Sequence, residues 1–195
     1  THSNTSWDLA KFEVPHHRWA DVSTHTAGLA LLNDSKYGIR VYDCVLDLNL
    51  LRSTDYPGTE ADRGTHTFTY SLYPHEGDLV SGGVAKEGYF LNIPLEIVIA
   101  GSHGGSLPAE ASIVTVSDEN IVVESVKRSE DRKATIIRLY EASGAYRKVK
   151  VRPGFSVSKA ESVNLLEEKP VLLEMEEGAI KLDFHPFEIK TLYLM

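Results

Sequence analysis

Residues 65–73 show the clearest alternation of side-chain character in the chain. Even-numbered and odd-numbered positions carry two different sets of side chains, as expected where successive residues point to opposite faces of a sheet. The even set is His66, Phe68, Tyr70 and Leu72, and the odd set consists of threonines, a serine and Tyr73. The pattern predicts a half-buried strand directly after an Asp62-Arg63-Gly64 step.

A hairpin is predicted earlier in the chain. Two apolar runs, residues 28–34 and residues 39–43, are separated by only a few residues. Asn33, Asp34 and Gly38 at this junction are typical turn residues, because their side chains or their backbone freedom favour tight reversals. We therefore expect the two runs to pair with each other.

Two further segments of the first half are predicted to be extended. Residues 45–51 alternate leucine with polar side chains, which is typical of a strand with one buried face. Residues 87–99 are rich in apolar and β-branched side chains, and Pro94 interrupts them. No segment of the chain has apolar positions at helical spacing over three turns, so an all-β structure is predicted.

Glycine and proline are concentrated in residues 100–110, a composition typical of a linker. Beyond it, strand patterns recur about every eight to twelve residues, as in small antiparallel sandwiches. Hairpin turns are predicted at three pairs, namely Asp118-Glu119, Glu130-Asp131 and Glu177-Gly178. We therefore predict two all-β parts, residues 1–105 and residues 106–195, the second being a small antiparallel β-sandwich.

Composition excludes several classes of protein. The formal net charge of −8 argues against a nucleic-acid partner, which requires a basic surface to displace counterions. No apolar run approaches the roughly 18 residues of a membrane span, so no membrane partner is expected. Cys44 is the only cysteine, which excludes an internal disulfide and is compatible with a reducing cytoplasm. It opens an apolar strand with no histidine nearby in the sequence, so we expect a buried, inert thiol.

The eight histidines do not combine into a recognisable metal site. His16 and His17 are adjacent in an extended segment and should point to opposite faces. Asp183 and His185 share one strand face, but two ligands without a third make a poor zinc site. A Gly-x-Ser-x-Gly nucleophile motif is also missing. We predict no metal ligand and no catalytic residue in this chain.

Aromatic side chains leave two alternatives open. Trp7, Trp19 or Tyr89 could serve as a platform for stacking on sugars, which would make the chain an autonomous carbohydrate-binding module. An oligomerisation module is the second alternative. Most aromatic side chains in a sandwich serve packing, and we favour that role here.

Several segments together resemble the C-terminal region of the α-mannosidases of glycoside hydrolase family 38, in its bacterial and cytosolic branch. They are NTSWDLAKFEVPHHRWADVS, GLALLNDSKYG, LNLLRS, EADRGTHTFTYSLYPHEGD and PFEIKTLYL, and they follow the order found in that family. The resemblance implies that residues 1–105 form the end of a larger β supersandwich and that residues 106–195 form a small immunoglobulin-like sandwich.

The resemblance also implies where the chemistry lies. Family members carry zinc and two catalytic aspartates in an N-terminal α/β domain, which a helical bundle follows. This chain lacks any His-x-Asp signature and is expected to be inactive alone. The N-terminal catalytic and helical domains of the same polypeptide are its expected partners, and a homo-oligomer is possible. The parent would be a cytoplasmic, zinc-dependent retaining α-mannosidase.

The same resemblance gives the Asp62-Arg63-Gly64 step a possible role. In related α-mannosidases, an Arg-Gly step in a loop of the β domain lies against the catalytic cleft. Gly64 would permit a positive φ or a close backbone approach, and the Arg63 guanidinium offers planar donors to hydroxyl or carboxylate groups. The alternative is a surface ion pair between Asp62 and Arg63 that contributes little to stability.

Overall fold

The computed structural model describes residues 5–102, 104–106 and 108–195. Its strands pair in antiparallel sheets, and two short helices are the only α-helical elements among the described residues. This confirms the all-β prediction. The chain divides into two compact units, Thr1–Ala100 and Gly101–Met195, which are called unit 1 and unit 2 below.

Unit 1 contains two three-stranded sheets and two helices. In chain order its elements are α1 (Ser6–Leu9), β1 (Val14–Pro15), β2 (Trp19–Ser23), β3 (Ala27–Asn33), β4 (Gly38–Tyr42), β5 (Val45–Leu48), β6 (Tyr70–Glu76) and α2 (Val84–Asn92). The sheet orders are β1-β4-β5 and β2-β3-β6. In the second sheet, Ala30 and Leu32 of β3 pack against Val84 of α2 and form the centre of a small core.

The predicted hairpin over residues 28–43 is wrong in its pairing. Both strands form, but β3 pairs with β2 and β6, whereas β4 pairs with β1 and β5. The turn residues between them therefore carry the chain from one sheet to another. Sequence pattern locates strands but does not show which edges are occupied, and both edges of β3 are already taken.

The predicted strand over residues 65–73 begins only at Tyr70. Tyr70 lies opposite Asn33, the last residue of β3, so residues 65–69 have no strand beside them. The Asp34 carboxylate accepts the Thr69 N–H instead, with Oδ1 3.0 Å from the nitrogen. The alternation is real, but its first half lies beyond the end of the partner strand.

The extended conformation predicted for residues 87–99 is also wrong over its first half, where α2 lies. Gly83 precedes the helix with φ of 66°, and Val84 and Leu91 pack against the core on β3. Gly88 faces Trp19, and a Cβ at this glycine would come within 2.9 Å of the indole. The local sequence gives only a weak helical signal here. Helix α2 is therefore stabilised mainly by the tertiary packing of this face.

Cys44 is exposed, contrary to prediction. Tyr42 pairs with Val45, so Asp43 and Cys44 form the two-residue loop of a tight hairpin. Asp43 has φ of 50°, as such loops require. The thiol therefore belongs to a turn and does not open the strand that follows.

Unit 2 is a two-sheet antiparallel sandwich, as predicted. Its strands are β7 (Val114–Val116), β8 (Ile121–Arg128), β9 (Thr135–Glu141), β10 (Arg147–Pro153), β11 (Ala160–Val163), β12 (Val171–Leu172), β13 (Met175–Glu176), β14 (Ala179–Phe184) and β15 (Ile189–Leu194). The sheet orders are β13-β14-β10-β7 and β12-β11-β15-β9-β8. Turns at Glu130-Asp131 and Glu177-Gly178 join paired strands, whereas Asp118-Glu119 links the two sheets.

Alternating side chains of both sheets enclose the core of unit 2. Strand β10 contributes Val149 and Val151, and β9 contributes Ile137 and Leu139 from the facing sheet. The remaining buried members are Ile121, Ala160, Ile180, Leu182, Phe184, Leu192 and Leu194. Burial of one face and exposure of the other along β10 and β14 explains why the sequence pattern predicts these strands well.

One carboxylate is buried in unit 2 and organises two of its loops. The side chain of Glu141 is fully enclosed and accepts N–H groups from Ser143, Gly144, Ala145 and Phe187 at 2.8–3.2 Å. Burial raises the pKa of Glu141, but these hydrogen bonds outweigh burial and hold the pKa below its ordinary value. The connections β9–β10 and β14–β15 are thus bound to one charged group.

Candidate functional site

A long loop, residues 49–69, joins β5 to β6 and carries the Asp62-Arg63-Gly64 step. Both ends of this loop are anchored to the framework of unit 1. At its start the Asn49 N–H donates to the Gly38 carbonyl at 2.9 Å. At its end the Thr69 N–H binds the Asp34 carboxylate, and this bond, with a second from the Ser35 hydroxyl, lowers the pKa of Asp34. Loops of this length without regular structure are frequently functional.

Hydrogen bonds inside the loop shape the Asp62-Arg63-Gly64 step. The Ser53 hydroxyl donates to the Ala61 carbonyl at 3.2 Å and ties the two arms of the loop together. The Arg63 N–H donates to the Glu60 carbonyl at 3.3 Å, and the His66 Nε2–H donates to the Asp62 carbonyl at 2.8 Å. The step is therefore a folded turn with its own contacts.

Backbone conformation explains the glycine in this step. Asp62 has φ of 60° and Gly64 has φ of 142°, so two of three consecutive residues have positive φ. A Cβ on Gly64 would meet no atom within 4 Å. Glycine is thus required by the backbone conformation rather than by lack of space.

The Arg63 guanidinium lies at the surface and pairs with Glu60. Its Nη1 is 3.2 Å and 3.3 Å from the two Glu60 carboxylate oxygens, and both side chains are mostly solvent-exposed. The ion pair proposed between Asp62 and Arg63 is not the one formed. Only one nitrogen of the guanidinium is engaged by the residues that the structure describes, so the planar group can still donate to a further ligand.

Histidines and carboxylates among residues 5–102, 104–106 and 108–195 are spread over separate places of the structure. No group of three or more potential ligands is close enough to hold a metal in the part of the chain that the structure describes. Asp183 accepts a hydrogen bond from the Tyr146 hydroxyl at 2.7 Å, and His185 packs edge-on against the same ring. His16 is held by the Tyr37 carbonyl and by the Asn33 amide. With these partners, the three residues do not fit a zinc ion.

Two patterns of known protein families match the chain. Residues 1–60 match the Glycosyl hydrolases family 38 C-terminal domain, and residues 120–192 match the Glycosyl hydrolases family 38 C-terminal beta sandwich domain. The chain belongs to glycosyl hydrolase family 38. This confirms the resemblance inferred from the sequence.

Individual relatives agree with this family 38 assignment. The chain is 42% identical to a human protein named Alpha-mannosidase 2C1 over 203 aligned positions, which cover 100% of the chain and 19% of that relative. It is 38% identical to Alpha-mannosidase G of Dictyostelium discoideum, and the alignment covers 98% of this chain and 18% of that relative. The chain thus spans about one fifth of the length of these relatives.

A solved structure shares the fold of this family 38 chain. The crystal structure of an alpha-mannosidase from Enterococcus faecalis V583 superposes with a TM-score of 0.75, over 94% of this chain and 21% of that one. Sequence identity is 21%, so this similarity concerns the fold alone. No helix among the described residues is long and apolar enough to cross a membrane.

The candidate loop of this family 38 chain lies partly outside the matched segments. The first family pattern ends at residue 60, just before Asp62, and the second begins at residue 120. The alignment with the human relative, in contrast, covers the whole chain. The role of Asp62, Arg63 and Gly64 is therefore a hypothesis to be argued from their geometry.

A buried hydrogen-bonded pair in unit 1, Asp21 with His75, has no counterpart in the sequence-based predictions. Asp21 Oδ1 lies 2.9 Å from His75 Nε2, and the side chains are only 2% and 1% exposed. The hydrogen bond to Asp21 raises the pKa of His75, although burial opposes it. A Cβ on Gly28 would come within 2.5 Å of the His75 ring, so this strand glycine provides room for the pair. A Cβ on Gly82 would likewise come within 2.2 Å of His75 Nδ1, so these two glycines are the sequence signals of a close approach at this place.

The three aromatic residues considered for sugar stacking do not all present a free ring. Trp19 packs against the core of unit 1, and the Arg18 guanidinium lies over the Tyr89 ring at 5.0 Å. Trp7 on α1 is 82% exposed. Of these three residues, Trp7 is therefore the one whose ring is open to a sugar, and the carbohydrate-binding alternative stays a prediction that rests on this residue.

Proposed function

We propose that this chain is the non-catalytic C-terminal module of an α-mannosidase that hydrolyses terminal α-mannosides. The observation that carries the proposal is the similarity of nearly the whole of this chain to proteins named alpha-mannosidases. The chain spans about one fifth of the length of those proteins. Zinc and the catalytic carboxylates would lie in an upstream domain of the same polypeptide. The chain alone is expected to have no mannosidase activity.

The Asp62-Arg63-Gly64 turn is the part of the module that we assign to the substrate cleft. Anchors at Asn49 and Asp34 hold the loop at both ends, and His66 fixes the Asp62 carbonyl. A positioned guanidinium can donate to sugar hydroxyls and keep the substrate in a reactive orientation. Arg63 would act by positioning, with no proton transfer of its own.

Support of the upstream domain is the second role in this proposal. The sheet β2-β3-β6 has α2 on one face, whereas its other face leaves Leu29, Tyr70 and Leu72 exposed. An apolar sheet face of this kind is normally covered by another layer. We assign this face to contact with the upstream part of the polypeptide.

A cytoplasmic location is proposed as well. Cys44 is an exposed, unpaired thiol. Such thiols persist in reducing compartments and tend to form disulfides in oxidising ones. The location is tested by fractionating source cells and probing with antiserum against the chain. Recovery in a secreted fraction would contradict it.

Replacement of Arg63 in the full-length polypeptide tests the role of the loop. Arg63→Ala should lower kcat/KM for an aryl α-mannoside by roughly 10- to 100-fold, the range expected for loss of a charged hydrogen bond to bound substrate. Arg63→Lys should recover part of the loss. Arg128→Ala, which removes an exposed arginine from unit 2, serves as the control and should leave kcat/KM unchanged. An Arg63→Ala enzyme with wild-type kcat/KM would refute the cleft assignment.

A further inference from the structure

The segment that follows α2 exposes an unusual amount of apolar surface. Residues 94–100 have the sequence PLEIVIA. Leu95, Ile97, Val98 and Ile99 are 94%, 88%, 84% and 97% exposed. Isolated exposed aliphatic residues are common, but four this exposed within five positions indicate a surface that is covered in the working molecule.

The backbone of this segment is unpaired as well. No hydrogen bond joins residues 94–100 to any other residue that the structure describes. Their composition is nevertheless typical of a strand, since Ile97, Val98 and Ile99 are consecutive β-branched residues. Pro94 lacks an N–H and stands at the first position, where a strand tolerates proline. The segment therefore has the properties of a strand without a partner.

We propose that residues 94–100 form an additional β-strand on a sheet edge in the upstream part of the same polypeptide. This inference rests on the proposed function, because it requires that an upstream part exists. About four fifths of the length of the matched relatives lies outside the region aligned here, which leaves ample chain to supply that sheet. Main-chain hydrogen bonds would hold the strand, and its apolar side chains would enter the core.

The side-chain pattern favours such a sheet over pairing between two copies of this chain. In a strand, Leu95, Ile97 and Ile99 would lie on one face, with Val98 and Ala100 on the other. Two strands pairing between copies would leave both faces in water, and an isolated two-stranded ribbon is marginally stable. A sheet inside a larger domain would both cover the apolar face and supply hydrogen-bond partners for the backbone N–H and C=O groups of the segment.

Hydrogen exchange of the full-length polypeptide tests the inference directly. The amides of residues 95–99 should exchange roughly a thousandfold more slowly than in an unstructured peptide, as in paired strands. In the 195-residue chain alone, the same amides should exchange at the unstructured rate. Rapid exchange at residues 95–99 in the full-length polypeptide would overturn the inference.

A matched set of variants provides a second readout. The double substitution Ile97→Asp with Ile99→Asp should lower the unfolding temperature of the full-length polypeptide by roughly 3 °C or more. In the 195-residue chain the same change should leave the unfolding temperature unaltered, because these side chains contact little there. Leu166→Asp changes another exposed aliphatic residue, 74% exposed in unit 2, and should have no effect in either context.

The outcomes separate this inference from the function on which it rests. If the long polypeptide exists and turns over α-mannosides while residues 95–99 exchange freely, only the added strand is refuted. If source cells contain only a 21.6 kDa polypeptide, the proposed function and the added strand both fail. Protection that appears in the 195-residue chain only at high concentration would assign the segment to a second copy and would also refute the inference.

Discussion

Units 1 and 2 are similar in length, but they bury their apolar side chains to different extents. Unit 2 encloses a core between two sheets, with Ile137, Val151 and Phe184 completely buried. The core around α2 in unit 1 is centred on only three buried residues, Ala30, Leu32 and Val84. Unit 2 thus encloses a core of its own, and we propose that unit 1 is part of a larger sandwich.

The exposed surfaces of unit 1 support the same distinction. One face of its sheet β2-β3-β6 leaves Tyr70 and Leu72 in solvent, and residues 94–100 have no described hydrogen-bond partner. Unit 2 also exposes apolar side chains, including Leu166 and Leu172, but these lie outside its main core cluster. An incomplete core should therefore limit the stability of unit 1 more than that of unit 2.

Separation of the two units should have the largest effect. Residues 101–195 expressed alone should unfold in urea in one cooperative transition, because their core is closed. Residues 1–100 expressed alone should bind a hydrophobic dye and unfold without a sharp transition. Circular dichroism and dye fluorescence across a urea series measure both. A cooperative transition of residues 1–100 without dye binding would remove the distinction between the units.

Removal of the buried carboxylate of unit 2 should have the next largest effect. Glu141→Ala leaves the N–H groups of Ser143, Gly144, Ala145 and Phe187 without their acceptor. The free energy of unfolding of residues 101–195 should fall by roughly 3–5 kcal/mol, measured by urea unfolding. Glu174→Ala, at an exposed glutamate, is the control and should change it by less than about 0.5 kcal/mol. Equal losses in the two variants would contradict the role of Glu141.

A smaller effect is expected from crowding the buried Asp21–His75 pair of unit 1. Gly28→Ala would place a methyl group within 2.5 Å of the His75 ring and of Ser23 Cβ. We expect unit 1 within the full-length polypeptide to lose roughly 1–3 kcal/mol of stability, as for other overpacked sites. At Gly58 a Cβ would meet nothing within 4 Å, so Gly58→Ala is the matched control. Equal free energies of unfolding in urea for the two variants would contradict this prediction. They would show that the His75 ring and Ser23 shift at little cost to make room for the added methyl group.

Acid should lower the stability of unit 2 through protonation of Glu141. This effect should be smaller than that of Gly28→Ala. The folded state holds the pKa of this carboxyl below its ordinary value of about 4.3. Its contribution to stability is therefore present above the unfolded pKa and is lost as the pH falls through the folded pKa. The urea midpoint of residues 101–195 should decrease below about pH 4, and Glu141→Gln should reduce that decrease. An identical pH profile for the variant would exclude this cause.

Sequence pattern predicted unit 2 far better than unit 1, for a physical reason. Along β10 and β14 every second side chain enters the core, so a local period reports the fold directly. In unit 1 the helix α2 depends on packing against β3, and residues 65–69 lie beyond the end of their partner strand. Both features depend on residues that are distant in sequence, so a local pattern of apolar and polar side chains does not predict them.

The candidate site shows the same limit. Family resemblance and turn chemistry drew attention to Asp62, Arg63 and Gly64, and the positive φ of Gly64 gives this glycine a structural reason. The Asp21–His75 pair was not predicted, because the two residues meet only when three strands assemble around Gly28. Contacts across a sheet follow from register, which sequence pattern alone leaves undetermined.

The size of the native polypeptide tests the central claim most directly. A denaturing gel of source-cell extract, probed with antiserum raised against this chain, should show a band far larger than 21.6 kDa. That result would agree with a C-terminal module joined to an upstream catalytic domain. A single band at 21.6 kDa would contradict the account, because the exposed surfaces of unit 1 would then have no upstream part to cover them.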